Sequence, residues 1–294
     1  MKLLYVYDKG ANCMYWEKML ARMKTLFPDF QPLQISLMDY PNFEQDGFDF
    51  LVYQTFPDES HRHKFNRNLV MRGDKKFEEF RGKKILLDSL DASNDNGFKR
   101  FGDKYPRIKH MAGEEHGNKF NVILNLPSYH RTTLFPSLKR DVLVHYAQSI
   151  SNRYPHTIRQ EVLKVLKESF SKETSFERIE YPKYGTFLGR VLISVSTPGF
   201  GHTSDTAYLS MQAGACLFAH EWITKITVFP HAALVDGEDY VLFNLENMRE
   251  KLRGLLQDPE RAVRIGLSGR GKFIVGLDLD KSCNQMYAKL KELT

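Results

Sequence analysis

Gly199-Phe-Gly-His-Thr-Ser-Asp205 is the stretch of the chain best suited to chemistry. Gly199 and Gly201 carry no Cβ, so backbone N–H groups there can approach a ligand closely. Thr203, Ser204 and Asp205 are N-cap types, which predicts a helix start with its partial positive charge. That combination suits a phosphate, with His202, Thr203 and Ser204 as side-chain donors. Asp205 would repel an anion unless it caps its own helix. The same residues would equally make an ordinary strand-to-helix turn, since one glycine loop is a weak motif. Asn152-Arg-Tyr-Pro-His-Thr-Ile-Arg159 adds two arginines around a second turn. The planar guanidinium forks of Arg153 and Arg159 fit a diphosphate; the alternative is two surface arginines at an exposed helix start.

Candidates for proton transfer lie earlier in the chain. Asp88 and Asp91 stand at the carboxyl end of a predicted strand, the edge that faces the ligand crevice in open α/β sheets. Either carboxylate could act as a general base or cap a helix. The acidic loop Asp91–Gly97 has its glycine one place late for a calcium loop and lacks the terminal glutamate. His61, beside Asp58 and His63, follows another predicted strand and could take a proton from a sugar hydroxyl at neutral pH. A metal there would need a third ligand that the spacing does not supply. Asp278-Leu-Asp280 resembles a metal–nucleotide carboxylate pair, but its position fits turn or helix capping.

The positioning elements follow from periodicity. Short apolar runs at Leu3–Tyr7, Leu33–Leu37, Phe48–Phe56, Lys83–Asp88, Ile108–Met111 and Val122–Leu126 predict buried strands. A helical pattern spans Met14 to Leu26, and a basic one lies near Asn66–Phe80. The pattern lapses from Pro127 to Lys139. It restarts with a strand at Asp141–Ala147, an amphipathic helix from Thr157 to Phe170, and a strand at Glu177–Tyr181. A turn or short helix at Tyr184–Gly189 precedes the strand Leu192–Val195. Beyond the glycine loop, Ala207, Tyr208, Met211 and Ala215 recur at helical spacing. Gly214 ends that helix and Ala215–Ala219 returns to strand. Ile226–Phe229 and Tyr240–Phe243 are further strand candidates. Glu246–Leu256 is a helix, Asp258-Pro-Glu260 stops it and starts another, and Ser282–Leu293 closes the chain as a helix. Strands alternating with helices imply parallel sheets. The expected organisation is an amino-terminal domain over residues 1–135, a second over 136–275 and a carboxyl-terminal helix over 276–294.

Composition narrows the class. Across 294 residues, 42% are hydrophobic and 13% aromatic, enough for two cores and unlike a disordered chain. A net charge of +6 and a pI near 9.0 favour anionic partners. The basic residues form no block, which favours a small phosphorylated ligand over nucleic acid and leaves open a peripheral contact with a membrane. Cys13, Cys216 and Cys283 show neither metal nor disulfide spacing, so a reducing, cytoplasmic compartment is expected. The first residues turn polar too soon for a signal peptide, and no apolar run is long enough to span a bilayer.

Several segments together resemble the carboxyl-terminal half of GT-B glycosyltransferases. They are Ser194–Phe218, Asp236-Gly-Glu-Asp-Tyr-Val-Leu-Phe243, Leu245–Leu256 and Asp258-Pro-Glu-Arg-Ala-Val-Arg-Ile-Gly-Leu-Ser-Gly269. Asp141–Phe170 is similar to the opening of the second domain in the spore-maturation-type and exostosin-like branches, where an arginine follows a Tyr-Pro turn as Arg159 follows Tyr154-Pro155. The resemblance covers roughly residues 140 to 272.

It implies an α/β fold with two Rossmann-like domains facing across a cleft, the nucleotide-sugar donor on the second and a glycan acceptor on the first. It implies transfer from a UDP-linked sugar, with inversion and without a metal. Arg153, Arg159 and the loop with Gly199, Gly201, His202, Thr203, Ser204 and Asp205 would hold the diphosphate, with Tyr184 also in the donor site. The base would come from Asp88, Asp91 or His61. The chain departs from the pattern at two places. Thr206 stands where relatives often carry an arginine, and Leu209 where they carry a glutamate that binds the donor ribose. Either Glu221 or Glu238 takes over that contact, or the chain is a non-catalytic nucleotide- or sugar-binding relative. A two-domain ligand-binding protein of the periplasmic type is a further alternative, which the expected lack of a signal peptide opposes.

Overall fold

A computed structural model describes residues 1–7, 14–54, 67–88, 101, 104–109, 136–137, 139–148, 157–180, 183–198, 204–225, 228–229 and 231–293. Contacts divide the chain into two units, Met1–Ser128 with Asp278–Thr294, and Tyr129–Leu277.

The first unit holds β1 (Lys2–Tyr7), α1 (Met14–Leu26), β2 (Gln31–Ser36), β3 (Phe50–Gln54), α2 (Arg67–Glu79), β4 (Lys83–Asp88) and β5 (Arg107–Lys109). The strands form one parallel sheet in the order β2-β1-β3-β4-β5. β1 and β3 are buried continuous apolar runs, as inner strands of a sheet covered on both faces must be. Successive residues serve opposite faces. Leu4 and Val6 join Leu51, Tyr53 and Phe77 of α2 in one core, whereas Tyr5 meets Trp16 of α1 with ring centroids 5.9 Å apart. α1 and α2 therefore cover opposite faces.

The closing helix α8 (Leu279–Leu293) also belongs to this unit. Tyr287 stacks on Phe27, ring centroids 3.8 Å apart, and its hydroxyl donates to Asp29 at 2.5 and 2.6 Å. Arg22 forks onto Asp280 with two bonds of 2.7 Å, which hold the carboxyl below its usual range. Asp278 caps α8 by accepting the Lys281 N–H at 3.0 Å. The Asp278/Asp280 pair thus has a cap and an ion pair as its occupations.

The second unit runs β6 (Val142–His145), α3 (Thr157–Ser169), β7 (Thr174–Ser175), α4 (Lys183–Gly189), β8 (Val191–Ser196), α5 (Asp205–Gln212), β9 (Cys216–His220), β10 (Val241–Phe243), α6 (Met248–Gln257) and α7 (Pro259–Gly276). Its sheet is parallel, in the order β10-β9-β8-β6-β7. Strand pairing with β6 falls at Thr174–Ser175, and residues 177–180 are irregular, which corrects the strand expected at Glu177–Tyr181. Residues 228–229 are not strand either. Phe273, Ile274 and Val275, an apolar run just ahead of Asp278, lie within α7. The expected strand at Val122–Leu126 lies outside the described residues.

Ile193 and Val195 of β8 share a core with Val162, Val165 and Leu166 of α3, while Ser194 between them accepts a 2.7 Å bond from Ser210 of α5. α3 and α5 therefore cover opposite faces of this sheet. α5 ends in a Schellman turn: Gly214 N–H bonds Met211 O at 3.0 Å and Ala215 N–H bonds Ser210 O at 2.9 Å, with Gly214 at φ +72°. Arg140 pins this turn. Its guanidinium donates to the carbonyls of Gly189, Val191 and Gly214 at 2.8 to 2.9 Å. Asp258 ends α6 and starts α7, accepting the Arg261 N–H at 2.9 Å.

α7 lies very close to β9. A Cβ on Gly266 would sit 2.3 Å from Gly214 O, and one on Gly269 2.3 Å from Asp239 O. The buried Asp239 carboxylate is held by the Val235 N–H at 2.9 Å and the Ser268 hydroxyl at 2.6 Å. Behind β6, His145 is fully buried against Tyr184 and Phe187, and neither ring nitrogen has a hydrogen-bond partner among the described residues. Burial lowers its pKa to about 4; the Ser175 backbone pulls the other way but lies outside hydrogen-bond geometry. Cys216 and Cys283 are buried thiols pushed up to about 12. Among the described residues no helix is long and apolar enough to cross a membrane.

Two stability predictions follow from these contacts. Gly266→Ala must displace backbone, so thermal unfolding should show a loss of about 3 kcal/mol. Gly271→Ala, with no atom near its Cβ, should gain about 0.5–1 kcal/mol. The second concerns His145. Its folded pKa lies below the unfolded value, so its contribution is complete above about pH 6.5 and is lost as pH falls towards 4. Denaturant titrations should show a loss on the order of 3 kcal/mol over that window, and His145→Leu should remove that component of the slope.

Candidate functional site

In each sheet the first strand lies between the second and the third, so the chain order reverses beside it. Helices leaving the two neighbouring strands on opposite faces open a crevice beyond their carboxyl ends, where such folds take ligands. In the second unit that point lies between β6 and β8. The segment after β6 carries Tyr146 and Gln148. The segment after β8 carries Thr197 and Pro198, then leads to Ser204 at the start of α5.

Arg159 comes to this edge from the first turns of α3. Its Nε donates to the Pro198 carbonyl at 2.8 Å, and its own carbonyl accepts the Tyr146 hydroxyl at 3.1 Å. Burial raises the Tyr146 phenol, with Thr197 and Arg159 opposing. Ser204 has the extended backbone of an N-cap, φ −135° and ψ 161°, yet its hydroxyl caps no N–H. It instead meets Gln148 Nε2 at 2.7 Å and Ser196 Oγ at 3.0 Å. Ser204 is an N-cap type by sequence, but Gln148 and Ser196, brought to it by the fold, engage that hydroxyl. α5 begins at Asp205.

Among the sequence candidates, the structure brings Arg159, Ser204 and the start of α5 to one edge. Tyr184 lies on α4, facing Thr206 of α5 and the His145 ring at 5.7 Å, and burial raises its phenol. Asp88 is the last residue of β4, its backbone in register with Lys109, at the carboxyl edge of the first sheet. His61, Asp91, Arg153, Gly199, Gly201, His202 and Thr203 lie outside the described residues. Leu209 is buried with Leu188, Val191, Ala213 and Ala215. Glu221 and Glu238 are exposed, with Glu221 accepting from Asn244 at 3.5 Å. Residue type alone does not point to Gln148, Ser196 or Thr197; the place of Gln148 just past a predicted strand end is the one signal the sequence offers. Described cavities of about 420 Å³ at Val241 and about 320 Å³ at Lys83 open at the amino edges of β10 and β4, away from the carboxyl edges where such sheets bind ligands.

No family model matches the chain, and no curated protein matches it in sequence. Solved structures do match in fold. Sucrose-phosphate synthase from Thermosynechococcus elongatus aligns with 100% of this chain over 99% of its own, at TM-score 0.53 and 9% identity. HepE of Anabaena, in complex with UDP-glucose, aligns with 99% of this chain over 100% of its own, at 0.54 and 10%. A glycosyltransferase from Rickettsia africae aligns with 99% over 98%, at 0.56 and 9%. At these identities the likeness speaks for architecture: the chain has the α/β fold of the GT-B type, built from two Rossmann-like parallel-sheet units.

Proposed function

We propose that this protein is a glycosyltransferase that moves a sugar from a UDP-linked donor to a hydroxyl of a glycan acceptor, with inversion and without a metal. The observation that carries the reading is the approach of Arg159 to Pro198, one residue ahead of the glycine loop, at the strand-order reversal of the second unit. A guanidinium that is always charged, a helix start whose cap hydroxyl is engaged elsewhere, and two loop glycines make a setting suited to a diphosphate. The fold neighbour crystallised with UDP-glucose supports a donor of that chemistry.

In this reading the acceptor oxygen forms its bond to the anomeric carbon as the bond to the diphosphate oxygen breaks. The acceptor proton passes to Asp88, Asp91 or His61. The negative charge that develops on the departing diphosphate meets Arg153, Arg159 and the loop from Gly199 to Ser204, so its stabilisation grows along the reaction coordinate. Tyr184 and Asp205 complete the proposed donor site, and the spore-maturation-type and exostosin-like branches are the proposed relatives.

One observation favours a second reading. Leu209 occupies the place of a ribose-binding glutamate and is packed in the core, 6% exposed. A protein that binds a nucleotide or sugar without transferring it would tolerate that change. Slow hydrolysis of a nucleotide sugar separates the two, since a pure binder shows none. For the site itself, Arg159→Ala should weaken UDP binding by about tenfold or more, the scale of a lost charge-assisted contact, and uridine binding by less than about twofold. Calorimetric titration measures both; equal losses would remove Arg159 from the phosphate site.

A further inference from the structure

Gln148 joins the two strand ends that border the crevice. Its Oε1 accepts the Thr197 N–H at 3.0 Å and also the Thr197 hydroxyl, and its Nε2 donates to Ser204 Oγ at 2.7 Å and to the Thr197 carbonyl at 3.3 Å. The backbone N–H is a fixed donor, so it determines which end of the amide is the oxygen. Thr197 is 1% exposed and Ser196 3%. One half-buried side chain therefore holds Thr197, just ahead of the Pro198–Thr203 segment, and Ser204, just after it. The same amide occupies the hydroxyl that would otherwise cap α5.

A glutamine that served only to fill space could be replaced by any side chain of its length. Here the contacts are specific to an amide, because acceptor and donor are used at once, the oxygen towards Thr197 and the nitrogen towards both Ser204 and Thr197. All of them fall on the residues flanking the segment assigned to the diphosphate. Among the described residues, Arg159 adds a further contact at the start of that segment, on the Pro198 carbonyl.

We infer that Gln148 is a positioning residue for the donor diphosphate: it fixes Thr197 and Ser204, the residues that flank the proposed phosphate-binding stretch, without touching the ligand. The inference rests on the reading given under the proposed function. Its effect should fall on the phosphate portion of the ligand, because the contacts stop at the loop. The part that passes through Ser204 is common to both partners, so the double variant should lose no more than the larger single loss.

The test begins with calorimetric titration of the wild-type chain against UDP, GDP, ADP and dTDP, and continues with the tightest of these and its parent nucleoside. Gln148→Met should lower affinity for the diphosphate by about tenfold and for the nucleoside by less than about twofold, the scale expected when hydrogen bonds that order a binding loop are lost. Ser204→Ala should act in the same direction, and the double variant should lose no more than the larger single loss. Gln148→Glu keeps the length and the acceptor for Thr197, so it guards against a folding defect in the methionine variant. Its added negative charge should weaken the diphosphate further and spare the nucleoside. Thermal melts run alongside. Unchanged diphosphate affinity, equal losses for diphosphate and nucleoside, or additive losses in the double variant overturns the positioning role and leaves the proposed function standing. A wild-type chain that binds none of the four diphosphates overturns both.

Discussion

Parallel strands whose following helices go to opposite faces cannot roof over their own carboxyl edge. This constraint governs both units. In the second, β6 sends the chain towards α3 and β8 sends it to α5, and alternate residues of β8 pack on the two helices. Backbone groups past the two strand ends therefore find no continuing ladder. They must be met by side chains, other backbone, water or a ligand. Gln148 and Arg159 are the side chains that meet them, at Thr197 and Pro198.

The rest of the second unit keeps that edge in place. α7 presses its glycines against the Gly214 turn and the Asp239 carbonyl, which fixes β9 and the exit of α5. Arg140 fastens the same turn with carbonyl contacts. The amino edge is thus cross-braced by close backbone approach and a half-buried guanidinium. At the carboxyl edge hydroxyls, one amide and the Arg159 guanidinium do the holding. The neutral hydrogen bonds among them are individually worth about 1 kcal/mol, so they can order a loop without locking it.

Much of this was legible in the residues. The apolar run at β8, the glycines after it, the helical spacing through Met211 and the break at Gly214 described strand, loop and helix in the order found. Asp258-Pro259 signalled one helix ending and another beginning. Other features have no local signature. β7 is two residues long, too short for an alternation of residue types to announce it. Gly266 and Gly269 look like interruptions in a sequence, yet they lie inside an eighteen-residue helix because a Cβ would strike the neighbouring backbone. Arg22 and Asp280 are 258 positions apart. The Gln148 network depends on which hydroxyl turns towards it, and residue type does not encode that. The capping residues at Ser204 were right in type, but the competition that takes the hydroxyl away is a tertiary effect.

The central claim is that a diphosphate rests where β8 gives way to α5. A crystal structure of the chain with UDP tests it most directly. The account predicts both phosphates beside the first turn of α5, within hydrogen-bond reach of Arg159, with the Gln148–Ser204 bond intact. Density for UDP at the amino edge of either sheet, or phosphates remote from Arg159, would contradict it.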